Sequence, residues 1–334
     1  MKSLKGTWRR AWSIVVLLLL MACGGPQAPA ATPSSRSAAP SPSPSPVAIS
    51  PSPSPPVPQR LETALPVPLE ESGAAAAGGK LYVIGGFDAA GNSLRTVWVL
   101  DGIAWSAGPR LPLGLDHTSA ATLDDRIYVA GGHSFGRDSA RFFRLDASTW
   151  TELAPLRHPR GGHTLLATAG RLYVIGGNSV AGNIGPAEVY DPKTGGWSDL
   201  PALPAPRNHV AGFVFGFSAC AAGGRSPATT RVDCFDTESS SWVRFPDLPQ
   251  ATSGAGATAL EDGRAVILGG QDAGETRIND QFAELPDPTA WNSLGAMLVP
   301  RHGFELAVFE GRAWACGGGS LPGLHPVATC TSVV

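Results

Sequence analysis

A glycine pair that follows a short apolar run recurs six times along the chain, and this repeat constrains the fold more than any other feature. The first glycines of the six pairs are Gly85, Gly131, Gly176, Gly223, Gly269 and Gly317. Their spacing of 45 to 48 residues is far longer than the period of a single helix or strand. Self-similarity at such a period indicates one supersecondary unit per repeat, stacked in an array or ring.

Other residues recur at fixed distances from the glycine pairs and divide each unit into short strands. A tryptophan lies 19 to 22 residues after each of the first five pairs: Trp105, Trp150, Trp197, Trp242 and Trp291. Between pair and tryptophan a short run ends in an acid, as at Asp146, Asp191 and Asp236. Because each unit has about four apolar runs broken by Gly or Pro, and no helical period, we predict four short strands per unit.

This order of glycine pair, acid and tryptophan resembles the kelch repeat, and the resemblance covers residues 59–334. It implies an all-β fold, a six-bladed kelch-type β-propeller in which each repeat forms one four-stranded blade. The last unit has one strand after its glycine pair and no tryptophan strand. We therefore expect residues 59–68 to supply the outer strand of blade six, which closes the ring and removes an open sheet edge. The alternative is a last blade that stays open.

Residues 1–22 have the form of a lipoprotein signal peptide. Four basic residues precede an apolar run, residues 11–21, that is too short to span a bilayer but has the length of a secretory signal. The run ends in Leu-Met-Ala-Cys at 20–23, which resembles the lipobox of bacterial lipoproteins. The resemblance implies cleavage before Cys23 and acylation of this residue, and hence a lipid anchor in the cell envelope, with the protein facing the periplasm or the cell surface. An ordinary secretory signal with an incidental cysteine is the alternative.

Residues 23–58 are composed almost entirely of Pro, Ser, Ala and Gly. Such a segment cannot bury a core and favours the extended polyproline II conformation. At about 3.1 Å per residue it reaches roughly 100 Å. We interpret it as a disordered linker between the lipid anchor and a folded domain formed by residues 59–334.

Four cysteines remain in the predicted domain: Cys220, Cys234, Cys316 and Cys330. An even number in an exported protein favours disulfide bonds. Since each pair falls on consecutive strands of one unit, we predict the bonds Cys220–Cys234 and Cys316–Cys330. Zinc binding is the alternative, but no histidines cluster with these cysteines at ligand spacing, and we expect neither a metal nor a cofactor.

In kelch propellers the loops of one face and the starts of the inner strands surround a central funnel, and this resemblance selects the candidate ligand-binding residues. Eight residues occupy those starts: Asp116, His117, Arg160, His163, Arg207, His209, Arg301 and His302. Arginine offers a bidentate fork to an anionic or polyhydroxylated ligand. The alternative is local packing, because Pro-Arg-x-x-His is itself part of the kelch pattern. Polar residues of the loops after the glycine pairs, among them His133, Asn183 and Arg225, are interpreted as solvated turn residues.

The charge of the chain argues against binding to nucleic acid. Four of its 25 basic residues lie in the leader, so the remainder carries fewer basic than its 27 acidic residues, and no basic patch stands out. We expect a monomeric binding module without catalytic activity, tethered to the membrane by lipid and recognising an envelope or extracellular protein or a glycan.

An enzyme is the alternative, of the kind of a periplasmic sialic-acid epimerase (mutarotase), which is also a six-bladed kelch protein. Such an enzyme needs arginine for a carboxylate and a general acid–base pair, for which Arg160, Arg207, His209 and Glu305 are candidates. A copper oxidase like galactose oxidase is disfavoured, because all four tyrosines occupy repeat positions and none is left for the metal.

Overall fold

A computed structural model describes residues 59–225 and 227–333. The predicted signal peptide, residues 1–22, and the predicted linker, residues 23–58 with Cys23, lie outside the described residues. Within the described ranges the chain forms strands and turns, and it contains no helix of the length and apolarity that a membrane crossing requires.

Six antiparallel sheets, one for each glycine-pair repeat, confirm the predicted six-bladed β-propeller. The strands of the first blade are β2 Gly73–Ala77, β3 Lys80–Ile84, β4 Val97–Asp101 and β5 Ala104–Ala107, after the short β1 Arg60–Glu62. Those of the second are β6 Ser119–Leu123, β7 Arg126–Ala130, β10 Phe142–Asp146 and β11 Thr149–Glu152, with a loop hairpin formed by β8 His133–Ser134 and β9 Arg137–Asp138. Those of the third are β12 Gly161–Thr168, β13 Arg171–Ser179, β15 Pro186–Asp191 and β16 Gly196–Ala202, with the added strand β14 Gly182–Asn183.

The second half of the propeller repeats this order. The fourth blade has β17 Ala211–Phe215, β18 Ser218–Ala222, β19 Val232–Asp236 and β20 Ser241–Phe245. The fifth has β21 Gly256–Ala259, β22 Ala265–Leu268, β23 Gln281–Leu285 and β24 Asn292–Ala296. The sixth has β25 Leu306–Phe309, β26 Arg312–Cys316 and β27 Cys330–Val333, to which β1 adds the outer strand. The first strands of all six blades contact one another in a closed circuit, β2, β6, β12, β17, β21 and β25, and so line the axis.

The two ends of the domain meet in blade six, as the sequence predicted. Strand β1 pairs antiparallel with β27, with Leu61 opposite Thr331. Leu65 is buried and its N–H donates to the carbonyl of Ala328 at 2.8 Å. The last blade is therefore complete and the ring has no open sheet edge at this point.

Six apolar clusters, one at each interface between neighbouring blades, form the core. The predicted tryptophans lie at these interfaces, and each indole N–H donates to a backbone carbonyl of the preceding blade. The five donor–acceptor pairs are Trp105 to Thr63, Trp150 to Pro109, Trp197 to Ala154, Trp242 to Pro201 and Trp291 to Pro246. Trp150 and Trp197 are buried and the other three are half-buried, so each ring joins apolar contact to one satisfied polar atom and links two blades.

Blade six reaches blade five through a different side chain. Gln59 directly precedes β1, in the ladder position that tryptophan holds in the other blades. Its Nε2 donates to the carbonyl of Ala296, and its Oε1 accepts from the N–H of Leu298, both at 2.7 Å. The amide thus replaces the indole as the polar link between blades.

Both predicted disulfides are present, Cys220–Cys234 and Cys316–Cys330. The first joins β18 to β19 and the second joins β26 to β27, and in each case the two cysteines lie directly opposite in the ladder. No thiolate of either pair is left for zinc, so that alternative is wrong for these cysteines.

Candidate functional site

A closed ring of backbone hydrogen bonds encircles the axis just before the inner strands begin. One residue of each blade donates its N–H to the carbonyl of the equivalent residue in the preceding blade, over 2.6 to 2.9 Å. The members, called the axial ring below, are Glu71, His117, Gly162, His209, Gly254 and Gly303. Because the circuit closes on itself, one geometry at this position is imposed on all six blades.

All six members of the axial ring adopt a left-handed backbone, with φ between 49° and 65°. Glycine accepts this conformation freely, and three members are glycines. Glu71, His117 and His209 adopt it at a cost of roughly 1–3 kcal/mol each, and strain of this kind clusters at functional sites. The three strained residues are therefore the starting point for a site.

The side chains of these three residues converge on the axis. Nε2 of His117 lies 3.8 Å from Oε2 of Glu71, and Nε2 of His209 lies 3.9 Å from Oε1 of the same carboxylate. The two imidazole rings meet edge to face with their centroids 4.9 Å apart. The glycines make this possible: a Cβ on Gly162 would lie 2.9 Å from Nδ1 of His209, and one on Gly303 would lie 2.8 Å from Oε1 of Glu71.

An outer layer of acceptors orients both imidazoles. Nδ1 of His117 lies 2.7 Å from Oδ1 of Asp116, whose other oxygen accepts from the hydroxyl of Ser93 at 2.5 Å. Nδ1 of His209 lies 2.5 Å from Oδ1 of Asn208. Because both partners are acceptors, Nδ1 carries a proton in each ring, and each Nε2 is turned towards the axis, where it offers a lone pair whenever the ring is neutral.

Two loop residues, which the sequence had suggested to be solvated, pack against the cluster. Nη2 of Arg225 lies 3.0 Å from Nε2 of His209, and the same guanidinium pairs with Glu275 at 2.6 Å. The ring of His133 contacts that of His117 with centroids 5.4 Å apart, and it pairs with Asp138 at 3.2 Å. The site therefore has walls from the loops as well as from the axial ring.

The two central histidines differ in charge. Burial lowers the pKa of His117, but the carboxylates of Glu71 and Asp116 more than offset this, and the pKa is raised. Burial, with the positive charges of His117 and Arg225, holds the pKa of His209 well below its ordinary value. A neutral imidazole therefore faces the same carboxylate as a readily protonated one.

Beyond the axial ring the inner strands enclose a cavity of about 370 Å³. Its walls consist mainly of small side chains, and its polar lining includes His163, Thr164 and Glu305. This volume falls within the range of small-molecule sites, which begins at about 300 Å³.

Glu305 is the acid within the cavity. Its Oε2 accepts from the N–H groups of Ala74 and Ala120 at 2.8 and 3.1 Å, and its Oε1 accepts from the hydroxyl of Ser119. Burial within the cavity outweighs these hydrogen bonds and raises the pKa of Glu305 to about 7. Such a carboxyl group can both donate and accept a proton near neutral pH.

The eight residues predicted to bind a ligand fall into three groups. His117, His163 and His209 line the cavity, and Asp116 stands behind His117. His302 does not line the cavity, and its Nε2 lies 3.1 Å from the carbonyl oxygen of Leu321. Ligand contact by any of these stays a prediction, and the geometry favours the three histidines.

The three predicted arginines, Arg160, Arg207 and Arg301, are buried inside their blades and do not line the cavity. Each donates to the carbonyl of the first glycine of its own pair, at Gly176, Gly223 and Gly317. These contacts match the local packing alternative, since they fix the turn that follows the second strand of the blade.

Glu71 was missed by the sequence analysis, because the first repeat has neither an arginine nor a histidine before its inner strand, and these residue types marked the other candidates. Glu71, His117 and His209 also lie in three separate blades, so no short spacing in the sequence links them. Alignment of the repeats places Glu71 in register with His117 and His209, and this is the signal that could have found it.

Comparison with known proteins agrees with this architecture. Residues 57–224 match the family model of the KLHDC2/KLHL20/DRC7 Kelch-repeats domain. The chain belongs to the kelch-repeat family. It is 29% identical to Kelch-like protein 25 of Xenopus tropicalis over 71% of this chain and 43% of that protein. It is 26% identical to Kelch-like protein 34 of Homo sapiens over 50% of this chain and 29% of that protein.

This kelch chain thus spans less than half the length of those two relatives. Among solved structures, "Structure of YjhT" superposes with a TM-score of 0.68 at 18% identity, covering 80% of this chain and 95% of that one. At this identity the likeness establishes a shared fold.

The three buried arginines differ in whether an acidic side chain pairs with them, and this difference predicts a stabilising substitution. Arg160 pairs with Glu188 and Arg207 with Asp233, both within 2.9 Å, on the third strand of the blade. The equivalent position in blade six is Thr331, opposite Ala315 in the ladder. Burial lowers the pKa of Arg301 to about 10, and its Nη2 has no hydrogen-bond partner among the described residues.

We expect Thr331→Glu to raise the free energy of unfolding by about 1–3 kcal/mol, because it gives Arg301 a charged acceptor. Urea unfolding measures the change. The gain should disappear in an Arg301→Met background, since no cation remains to be paired. Equal destabilisation in both backgrounds would show that Arg301 is already satisfied.

Proposed function

We propose that this protein is an extracytoplasmic binding module, anchored in the cell envelope by lipid on Cys23, that recognises an envelope or extracellular protein. The lipobox-like sequence at 20–23 and the Pro-rich segment that follows support the anchor and its spacer. Membership of the kelch family, whose propellers commonly serve as interaction modules, supports the binding role.

The observation that carries the proposal is the surface formed by the loops after the glycine pairs, called the loop face below. These loops leave the sheets on the same side as the axial ring, as the bridges Glu70–Phe87 and Asp116–His133 place them beside it. Four large apolar side chains are exposed there: Phe135, Val180, Leu321 and Leu324. Phe135 and Val180 are 72% and 87% exposed. Large exposed apolar side chains on one face are a feature of protein-binding surfaces.

Acylation of Cys23 predicts a chemical signature. Cells fed an alkyne-labelled fatty acid should label the wild-type protein and not Cys23→Ser, and mass spectrometry should find the mature chain beginning at residue 23. The reason is that lipobox processing exposes and acylates this cysteine. An unlabelled wild-type protein, or one cleaved elsewhere, would contradict the anchor.

Crosslinking from single positions tests which face binds. A photo-crosslinking residue at Phe135 or Val180 should yield a defined adduct in intact cells, because these side chains lie at the proposed contact. The matched controls are Ile103 and Phe217, which are 88% and 60% exposed in turns at the opposite end of the blades. The same adducts from both faces, or none from the loop face, would contradict a binding site there.

One observation favours a second function, a carbohydrate-active enzyme of the sialic-acid epimerase kind. Glu305 lines a cavity of about 370 Å³ and has a pKa of about 7, so it suits a general acid–base role in opening and closing a sugar ring. The arginines expected to hold a substrate carboxylate are buried elsewhere, which leaves Arg225 at the mouth of the site for that task.

We expect the enzyme alternative, if it holds, to depend on Glu305. The rate at which the anomers of N-acetylneuraminic acid interconvert can be followed by NMR with catalytic amounts of protein. Acceleration by the wild type that falls at least 100-fold in Glu305→Gln is the magnitude of a lost acid–base group. No acceleration by the wild type would exclude this function.

A further inference from the structure

We propose that Glu71, His117 and His209 bind one divalent transition-metal ion of the Zn²⁺ class at the loop-face end of the axis. This inference goes beyond the binding function proposed above and does not depend on it. It assigns a role to the three non-glycine members of the axial ring, which the fold alone leaves unexplained.

The donor set and its spacing suit such an ion. The three ligand atoms, two imidazole nitrogens and one carboxylate oxygen, all lie within 4.8 Å of one another. Two histidines with one carboxylate are a common set for catalytic zinc and for non-haem iron. Ligands about 2.0–2.2 Å from a shared ion lie roughly 3–3.5 Å apart. The histidine–glutamate separations are 3.8 and 3.9 Å, to the two oxygens of the carboxylate, and the ligand atoms all lie within 4.8 Å, so side-chain rotations must bring them closer by about 1 Å.

The orientation of both imidazoles is that of metal ligands. In each ring the Nδ1 proton is held by an oxygen acceptor, Asp116 for His117 and Asn208 for His209. Metal-binding histidines almost always donate their second ring proton in this way, which fixes the tautomer and the ring plane. The acceptors are themselves held, Asp116 by Ser93 and Asn208 through its Nδ2 by Asn183, each at 2.5 Å.

The lone pair on Nε2 of His209 and the Glu71 carboxylate face each other across 3.9 Å, and two acceptors in this position call for a cation between them. Arg225 now donates to that lone pair at 3.0 Å. An incoming ion displaces this contact, and Arg225 keeps its pairing with Glu275 at 2.6 Å and its Nε donation to Oδ1 of Asn208 at 3.2 Å. Arg225 is therefore a competitor of the ion and not a ligand.

The backbone holds the three ligands in place before any ion arrives. Their N–H and carbonyl groups belong to the axial ring, so the Cα positions cannot separate without breaking the circuit. The side chains are 8% to 17% exposed and face the cavity, so an ion bound by three protein atoms keeps a coordination position for water or a ligand.

The test uses the full-length protein without a histidine tag, purified in detergent, stripped with chelator and titrated with Zn²⁺ by calorimetry. We expect one ion per chain in the wild type, and a visible Co²⁺ absorption band when Co²⁺ is substituted. Glu71→Gln, His117→Gln and His209→Gln should each weaken binding at least 10-fold. The matched control is His158→Gln, an exposed histidine beside Asp199 that lies outside the cluster.

Two further variants keep all three ligands and so test the proposal even where a ligand variant is unstable. Asp116→Asn should weaken binding 10- to 100-fold, as loss of an orienting partner does. Arg225→Gln should bind Zn²⁺ at least as tightly as the wild type, because a competing cation is gone. The proposal would be overturned if the wild type bound no stoichiometric Zn²⁺. It would also be overturned if the double variant Glu71→Gln/His117→Gln had the same affinity for Zn²⁺ as the wild type.

Discussion

The closed circuit of six backbone hydrogen bonds around the axis is the constraint on which the rest of this propeller depends. Each bond joins equivalent residues of neighbouring blades, so the circuit closes only if every blade presents the same left-handed residue at the same height. This fixes where the six inner strands begin, how wide the cavity is and where the loops of the loop face emerge. Side chains on the axial ring are consequently held at the axis by the backbone itself.

Further from the axis, a second set of repeated contacts links neighbouring blades. Blade six shows which part of this contact is essential. Five tryptophans bridge to the preceding blade through a carbonyl, and Gln59 makes the same bridge with an amide. All six blades thus share a side-chain N–H donor at this distance from the axis, and the tryptophan ring adds apolar contact area. Blade six also lacks the acid that pairs with the buried arginine elsewhere, and it has Thr331 instead. One departure, Gln59, directly precedes β1 and the other, Thr331, lies on β27, and these two strands pair to close the ring.

The fold was predictable because its signals are local and repeated: glycine pairs, tryptophans and the position of residues 59–68 all lie at fixed offsets in the sequence. Cysteines fourteen residues apart gave the disulfides for the same reason. The site was less predictable, because its members come from different blades and because the arginine and the histidine of the Arg-x-x-His pattern have different roles. Arg160 turns back into its own blade towards Glu188, while His163, three residues on, faces the cavity. A linear motif cannot separate these directions, whereas aligning repeats on the axial ring would have revealed Glu71.

The composition of the axial ring is itself an argument for function. Six glycines would satisfy the backbone circuit without strain, yet Glu71, His117 and His209 adopt the left-handed conformation at roughly 1–3 kcal/mol each. Their sum is a sizeable share of the 5–15 kcal/mol by which a typical domain is stable. Side chains at all six positions would collide, since Gly162 and Gly303 leave the space that His209 and Glu71 occupy. A ring with three side chains, two of them imidazoles oriented by an acceptor behind them, is the arrangement that a binding centre on the axis requires and that a purely structural ring does not.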